Sequence, residues 1–213
     1  MSDNTLDNVL QGISTDLLAK TLRERLVLEN NPVWPYEVFL LFAALGILPC
    51  VDAFPMRVRN GKPEIGFIMR NTGYYKGHWW DVGGRMNAGE SFSEALTRHV
   101  RETLGVGFRL WPDQSWNSPA YIGQYGPRAF SLARDDNENA GHEPSKWCIA
   151  PTWLIELESE KFVFGSTVHG GQEATELRWF TLSDLPYGKL GYCGDETVKA
   201  CARWILYKEP LLY

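Results

Sequence analysis

Basic residues are in short supply in this chain: of 213 residues, 21 are Lys or Arg against 26 Asp or Glu, a formal net charge of -5. A general nucleic-acid binder usually carries a basic stripe, so the deficit argues against one. Cysteine is scarce as well, at four residues, and Cys50, Cys148, Cys193 and Cys201 show none of the C-x2-C spacing of a zinc site. With no secretory signal at the start of the sequence, reduced thiols in the cytoplasm are expected. The apolar run Val38 to Leu48 falls short of the ~20 residues needed to span a bilayer, and reads as buried against the domain or a second subunit. Gly-rich loops of the Walker or dinucleotide-binding kind are missing too, which disfavours kinase and dehydrogenase chemistry. What remains is the composition of a soluble globular protein, 44% hydrophobic and 22% charged, with a length that suits one sizeable domain and an extension.

The most patterned stretch is Gly83 to Val106, GGRMNAGESFSEALTRHVRETLGV. Ser91 and Glu94 form an S-x-x-E capping box, and Gly105 stands where a left-handed C-cap is wanted, so a helix is predicted from Ser91 to Leu104. At about 100° per residue, Phe92, Leu96, Val100 and Leu104 share one apolar arc, and Glu94, Arg98, Arg101 and Glu102 share the opposite one. One face packs while the other is left for chemistry. Upstream, Val51 to Arg59 and Glu64 to Met69 read as strands around an Asn60-Gly61 hairpin turn. Further strands are expected at Trp79 to Val82, Ala120 to Gln124, Thr152 to Leu157 and Glu176 to Phe180, with a short helix over Leu182 to Pro186. Residues up to about Asn30 have helical apolar spacing, and the polar segment Asp135 to Ser145 reads as a loop.

The Gly83 to Val106 pattern resembles the Nudix box, G-x5-E-x7-R-E-U-x-E-E-x-G-U with U apolar. It is matched at Gly84, Glu90, Arg98, Val100, Glu102, Gly105 and Val106, while His99 and Thr103 stand at two of the acidic positions. The resemblance covers roughly Val51 to Pro186. It implies a Nudix α/β/α sandwich with a mixed sheet over residues 51–213, preceded by a helical N-terminal arm over 1–50 for packing or dimerisation. It also implies cleavage of a nucleoside diphosphate linked to another group, a Mg2+ or Mn2+ ion, and a homodimer. Glu102 is the best candidate metal ligand, with Glu90 and Gly84 beside it, because carboxylates on one helical face hold a hard divalent cation against phosphate. His99 is expected to pack at the helix edge near Thr103.

Before the helix the chain is similar to the GDP-mannose mannosyl hydrolases, a Nudix branch with a defective box of its own. The likeness lies in Arg70, Gly77-His78-Trp79 and Gly83-Gly84-Arg85. It implies that Arg70, Arg85 and Arg98 face a diphosphate leaving group while water attacks the sugar carbon. Guanidinium forks suit phosphate oxygens and can stand in for missing metal charge. That branch draws its base from a His at the position of Ala174, and His169 and Glu173 are the nearby substitutes. Each of these residues also has a plainer reading: Arg98 as an i,i+4 partner of Glu102, Arg70 and Arg85 as exposed strand-end arginines, His169 and Glu173 as solvated loop residues. Trp79, Trp80, Trp111, Trp116 and Tyr121 include candidates for base stacking but suit core packing better. Two other readings stay open. One is a pyrophosphohydrolase attacking phosphorus, with Glu90, Glu102 and Glu173 as its metal set. The other is a catalytically silent module that binds a nucleotide and reports it to a partner.

Overall fold

Asn60 and Gly61 both take positive φ, 52° and 73°, as a two-residue hairpin turn between right-twisted strands requires. In the computed structural model, which describes residues 47–71, 75–125, 147–165, 172–191 and 194–207, this turn joins β1 (Ile47–Arg59) to β2 (Lys62–Arg70). Strand β1 takes in Ile47, Leu48, Pro49 and Cys50, which the sequence reading gave to the arm. The rest of that arm lies outside the described residues, as do the Asp135 to Ser145 loop and Cys193.

Strand β1 carries three partners along its length. Met56–Arg59 pair antiparallel with Lys62–Ile65 of β2, and Cys50–Ala53 pair antiparallel with β4 (Val82–Arg85). The other edge runs parallel to β7 (Trp147–Leu157). Strands β5 (Phe108–Leu110) and β6 (Tyr121–Tyr125) are both antiparallel to β7, and β8 (Ala174–Thr181) is antiparallel to β2. The sheet is therefore mixed. The expected strand Trp79 to Val82 is two strands, because the chain changes partner at Asp81: β3 (Trp79–Trp80) pairs with β2, and β4 pairs with β1.

Both faces of β1 are covered, so its residues read as a nearly continuous apolar run rather than an alternation. Val51 and Ala53 pack with Ala95, Leu96, Val100 and Leu104 of α1 (Phe92–Leu104). Phe54 and Met56 pack with Val198, Cys201 and Trp204 of α2 (Gly194–Tyr207). Two helices on opposite faces of a mixed sheet give the α/β/α sandwich. Trp153 of β7 is fully buried between Trp116 and Phe92, with ring centroids at 5.3 and 5.4 Å.

Two expectations need correction. Leu182 to Pro186 form turns, closed by Asp184 N donating to Thr181 O, instead of a short helix. With Pro186 in place the segment lacks the donors and the length to nucleate one. Phe92, placed on the apolar arc, is 42% exposed even though its ring lies 5.4 Å from that of Trp153, because it opens the first turn of the helix. No helix among the described residues is long and apolar enough to cross a membrane.

Candidate functional site

Helix α1 begins as its sequence dictates. Ser91 accepts from the Glu94 N–H while Glu94 accepts from the Ser91 N–H, and Gly105 closes the helix at φ 69°, donating to Arg101 O. These caps fix where the polar face starts relative to the turn that precedes it.

That turn is tied to the helix by adjacent residues. Arg98 Nη2 donates to the Arg85 carbonyl at 3.0 Å, and His99 Nε2 meets the same oxygen at 2.8 Å. A carbonyl only accepts, so this contact selects the Nε2–H tautomer. The ring lies flush on Gly84, where a Cβ would come within 2.8 Å of His99 Cε1. His99 is thus packed at the helix edge as expected, but against Gly84 and the Arg85 carbonyl. Burial pulls its pKa down to about 4, against the Arg85 carbonyl, which favours the charged form. The Arg85 side chain itself is exposed.

Arg98 grips Glu90 with a fork, Nε to Oε1 at 2.7 Å and Nη2 to Oε2 at 2.8 Å. The backbone N and side-chain Nδ2 of Asn87 donate to the same carboxylate at 2.7 and 3.1 Å. These donors fill the roughly four acceptor sites that a carboxylate offers. The Arg98 hydrogen bonds hold the Glu90 pKa down at about 2. The remaining Arg98 nitrogen, Nη1, reaches Glu102 at 3.4 Å, and that side chain is 55% exposed.

A second group of residues meets the far end of the helix. Thr103, buried, donates through its hydroxyl to Glu173 Oε2 at 3.3 Å, and Glu173 Oε1 lies 3.8 Å from Arg70 Nη1. The β2–β8 register shifts between Ile68 and Arg70, which sets Arg70 opposite Ala174. Asn71 N donates to the Glu173 carbonyl at 2.8 Å, so the loop before β8 is held onto the end of β2. The Arg70 guanidinium lies 5.5 Å from the centre of the Trp80 ring, which is stacked against Tyr75. Asp81, buried at the point where the chain changes strand partner, has no hydrogen-bond partner at Oδ1. Burial first, and then the charge of Asp52, push its pKa well up.

The structure therefore brings Gly84, the Arg85 carbonyl and Glu90 against Arg98 and His99 at the middle of the helix, and Arg70 and Glu173 to its last turn, where Glu102 and Thr103 lie. His169 lies outside the described residues. Of the proposed stacking residues, Trp79 and Tyr121 are buried, and Trp79 is packed edge-on against Phe180 at 5.2 Å. Trp116 packs on Trp153, and Trp111 packs against the cluster around Phe54. The roles of the Arg85 carbonyl and Asp81 and the bond from Thr103 to Glu173 were not legible in the sequence. The signal was present at the two box positions that depart from the pattern, because both departures, His99 and Thr103, make new hydrogen bonds.

The donor set does not fit the Mg2+ or Mn2+ that the resemblance implies. Glu90 is saturated by Arg98 and Asn87, His99 is occupied by the Arg85 carbonyl, and Thr103 brings no charge. Among the described residues of the candidate set, Glu102 presents an exposed carboxylate with a guanidinium beside it, and the Glu173 carboxylate is engaged by Thr103 and lies beside Arg70. Among the described residues no three His, Cys, Asp or Glu side chains converge in a way that could hold a metal ion.

No protein-family model and no curated protein matches this sequence. Solved structures do. A possible asymmetric diadenosine tetraphosphate hydrolase from Jonesia denitrificans is similar at TM-score 0.54 and 20% identity, over 78% of this chain and 99% of that one. A NUDIX hydrolase from Nitrosomonas europaea is similar at TM-score 0.50 and 14% identity, over 78% of this chain and 76% of that one. At such identities the likeness establishes the architecture: this chain has the Nudix fold.

Proposed function

We propose that this chain is a Nudix-type hydrolase of a nucleoside diphosphate sugar or related diphosphate derivative, a GDP-mannose-like substrate among them. The observation that carries the reading is the meeting of Glu173, Thr103 and Arg70 at the end of the box helix. It puts one carboxylate beside one guanidinium next to a helix whose other end is tied to Arg85. In this reading Arg85 and Arg70 bind the diphosphate, where guanidinium donors stabilise charge as it develops on the leaving oxygens. Arg98 acts as a positioning residue, because its nitrogens are spent on Glu90, Glu102 and the Arg85 carbonyl. Glu173 takes the proton of a water that attacks the sugar carbon; the new C–O bond forms as the bond to the diphosphate breaks, and the nucleoside diphosphate leaves as an anion. His169 is the other candidate for that proton.

The test is turnover of GDP-mannose, GDP-glucose, ADP-ribose, UDP-glucose and simple nucleoside triphosphates, with products resolved by phosphorus NMR. A nucleoside diphosphate and free sugar are expected, with kcat falling at least about 100-fold in Glu173→Gln. A nucleoside monophosphate and a sugar phosphate would mean attack at phosphorus and would retire the carbon mechanism. The second reading, a nucleotide-binding module without turnover, is favoured by the engagement of Arg98 and by the loss of two box acids. Binding of a nucleoside diphosphate with no product from any substrate would select it.

A further inference from the structure

We infer that the box helix of this chain handles its anionic ligand without a divalent cation, because the positions that would hold the ion have been rebuilt as hydrogen bonds inside the protein. The ligand class rests on the function proposed above; the absence of a cation site does not. At the first altered position, the His99 ring occupies the space over Gly84 and bonds to the Arg85 carbonyl at 2.8 Å. Several atoms of that ring lie within 3.4 Å of where a Gly84 Cβ would be. An ion approaching from the Gly84 side would have to displace a packed ring. At the second, the buried hydroxyl of Thr103 bonds to Glu173, so the helix and the loop before β8 are joined directly. Between them Glu102 contributes one carboxylate, which faces Arg98.

The consequence is a change in local charge. Two acidic box positions hold neutral groups, and the arginines beside them lie against carboxylates of the chain itself, Arg98 against Glu90 and Glu102, and Arg70 against Glu173 with Asp81 and Asp52 nearby. Magnesium sheds water reluctantly and needs oxygen ligands in near-octahedral array. Among the described residues, the exposed Glu102 carboxylate shared with a guanidinium, and a Glu173 already bonded to Thr103, do not supply that. Guanidinium groups bind phosphate oxygens directly and need no ion between.

The experiment is Mn2+ binding to the full chain by electron paramagnetic resonance, paired with calorimetry of GDP binding in Mg2+ and in chelator. The wild-type chain should leave Mn2+ free, or bind it in a manner that survives both Glu102→Gln and Glu173→Gln. Its GDP affinity should change less than twofold on adding chelator. The double substitution His99→Glu with Thr103→Glu, which restores both acids, should create a Mn2+ site. Wild-type Mn2+ binding that is lost in Glu102→Gln or Glu173→Gln would overturn the inference, as would a tenfold or greater loss of GDP affinity in chelator. A folded double variant with no Mn2+ site would show that these two positions do not decide cation binding and would overturn it as well. If GDP does not bind, the ligand class fails while the Mn2+ comparison still decides the cation question. Metal-dependent turnover would sink this inference and leave the hydrolase reading standing.

Discussion

His99 shows how one substitution can convert a site residue into a fixture. A glutamate at this position would carry charge toward the ligand, whereas the imidazole is neutral, half-buried and hydrogen-bonded to a main-chain carbonyl. Its pKa is lowered from 6.5 to about 4 in the folded chain. Between those values the unfolded chain holds more protons at this position, so stability is complete above 6.5 and falls as the pH drops toward 4. The loss is on the order of 3 kcal/mol if the unfolded value is unperturbed. Glu90 adds a loss of the same sign lower down, since its folded value near 2 lies below its ordinary 4.5. Proton NMR of the His99 ring should give a midpoint near 4, and the slope of stability against pH in this window should flatten in His99→Gln. A midpoint close to 6.5 would mean that the ring is solvated and does not seal the turn.

At the scale of elements, α1 was almost wholly legible. Its capping box, its left-handed Gly and its apolar arc are local features, so Ser91, Glu94, Gly105, Leu96, Val100 and Leu104 announced themselves by spacing alone. The partners of its polar face did not, because Arg70 ends β2 and Glu173 comes from the loop before β8, both far from the helix in sequence. Thr103 looked like a simple loss for the same reason. The Arg98–Glu90 fork was hidden by an i,i+4 habit of reading, which pointed to Glu102 when the tighter partner lies eight positions upstream. Arg98→Lys keeps the charge but cannot reproduce the fork to Glu90 together with the bond to Arg85. It should cost about 1–3 kcal/mol in chemical denaturation and lower turnover through the displaced turn. A neutral effect on both would show that the clamp holds nothing.

For the whole molecule, the strands around the Asn60-Gly61 turn could be read from sequence, whereas the covering of β1 on both faces came from the packing of the two helices. The change of partner at Asp81 could not be read either, since a four-residue apolar-and-acidic segment gives no hint that it pairs with two different strands. Helix α2 was passed over although Val198, Cys201 and Trp204 recur at helical spacing. It lies beyond the box resemblance, which drew attention to residues before Pro186. The core itself makes a plain prediction. Trp153 is fully buried against Trp116 and Phe92, and Trp153→Ala should cost about 3–5 kcal/mol by calorimetric or denaturant unfolding. A cost below about 1 kcal/mol would mean that the two layers do not meet through this ring.

Strand β1 sets the scale of the site in a further sense. Its Cys50–Ala53 segment holds β4 with Gly83, Gly84 and Arg85, and its Met56–Arg59 segment holds β2, which ends at Arg70 and carries β8 with Glu173 at its margin. In the function proposed above, Arg85 and Glu173 stand at two ends of the ligand, and both are spaced by this single ruler with their strands clipped to it. Such a ruler has no adjustable part. Evolution of a longer or shorter ligand in this lineage would have to proceed through the side chains at the two clips or the loop before β8, since lengthening β1 by one residue would turn every side chain beyond the insertion to the opposite face.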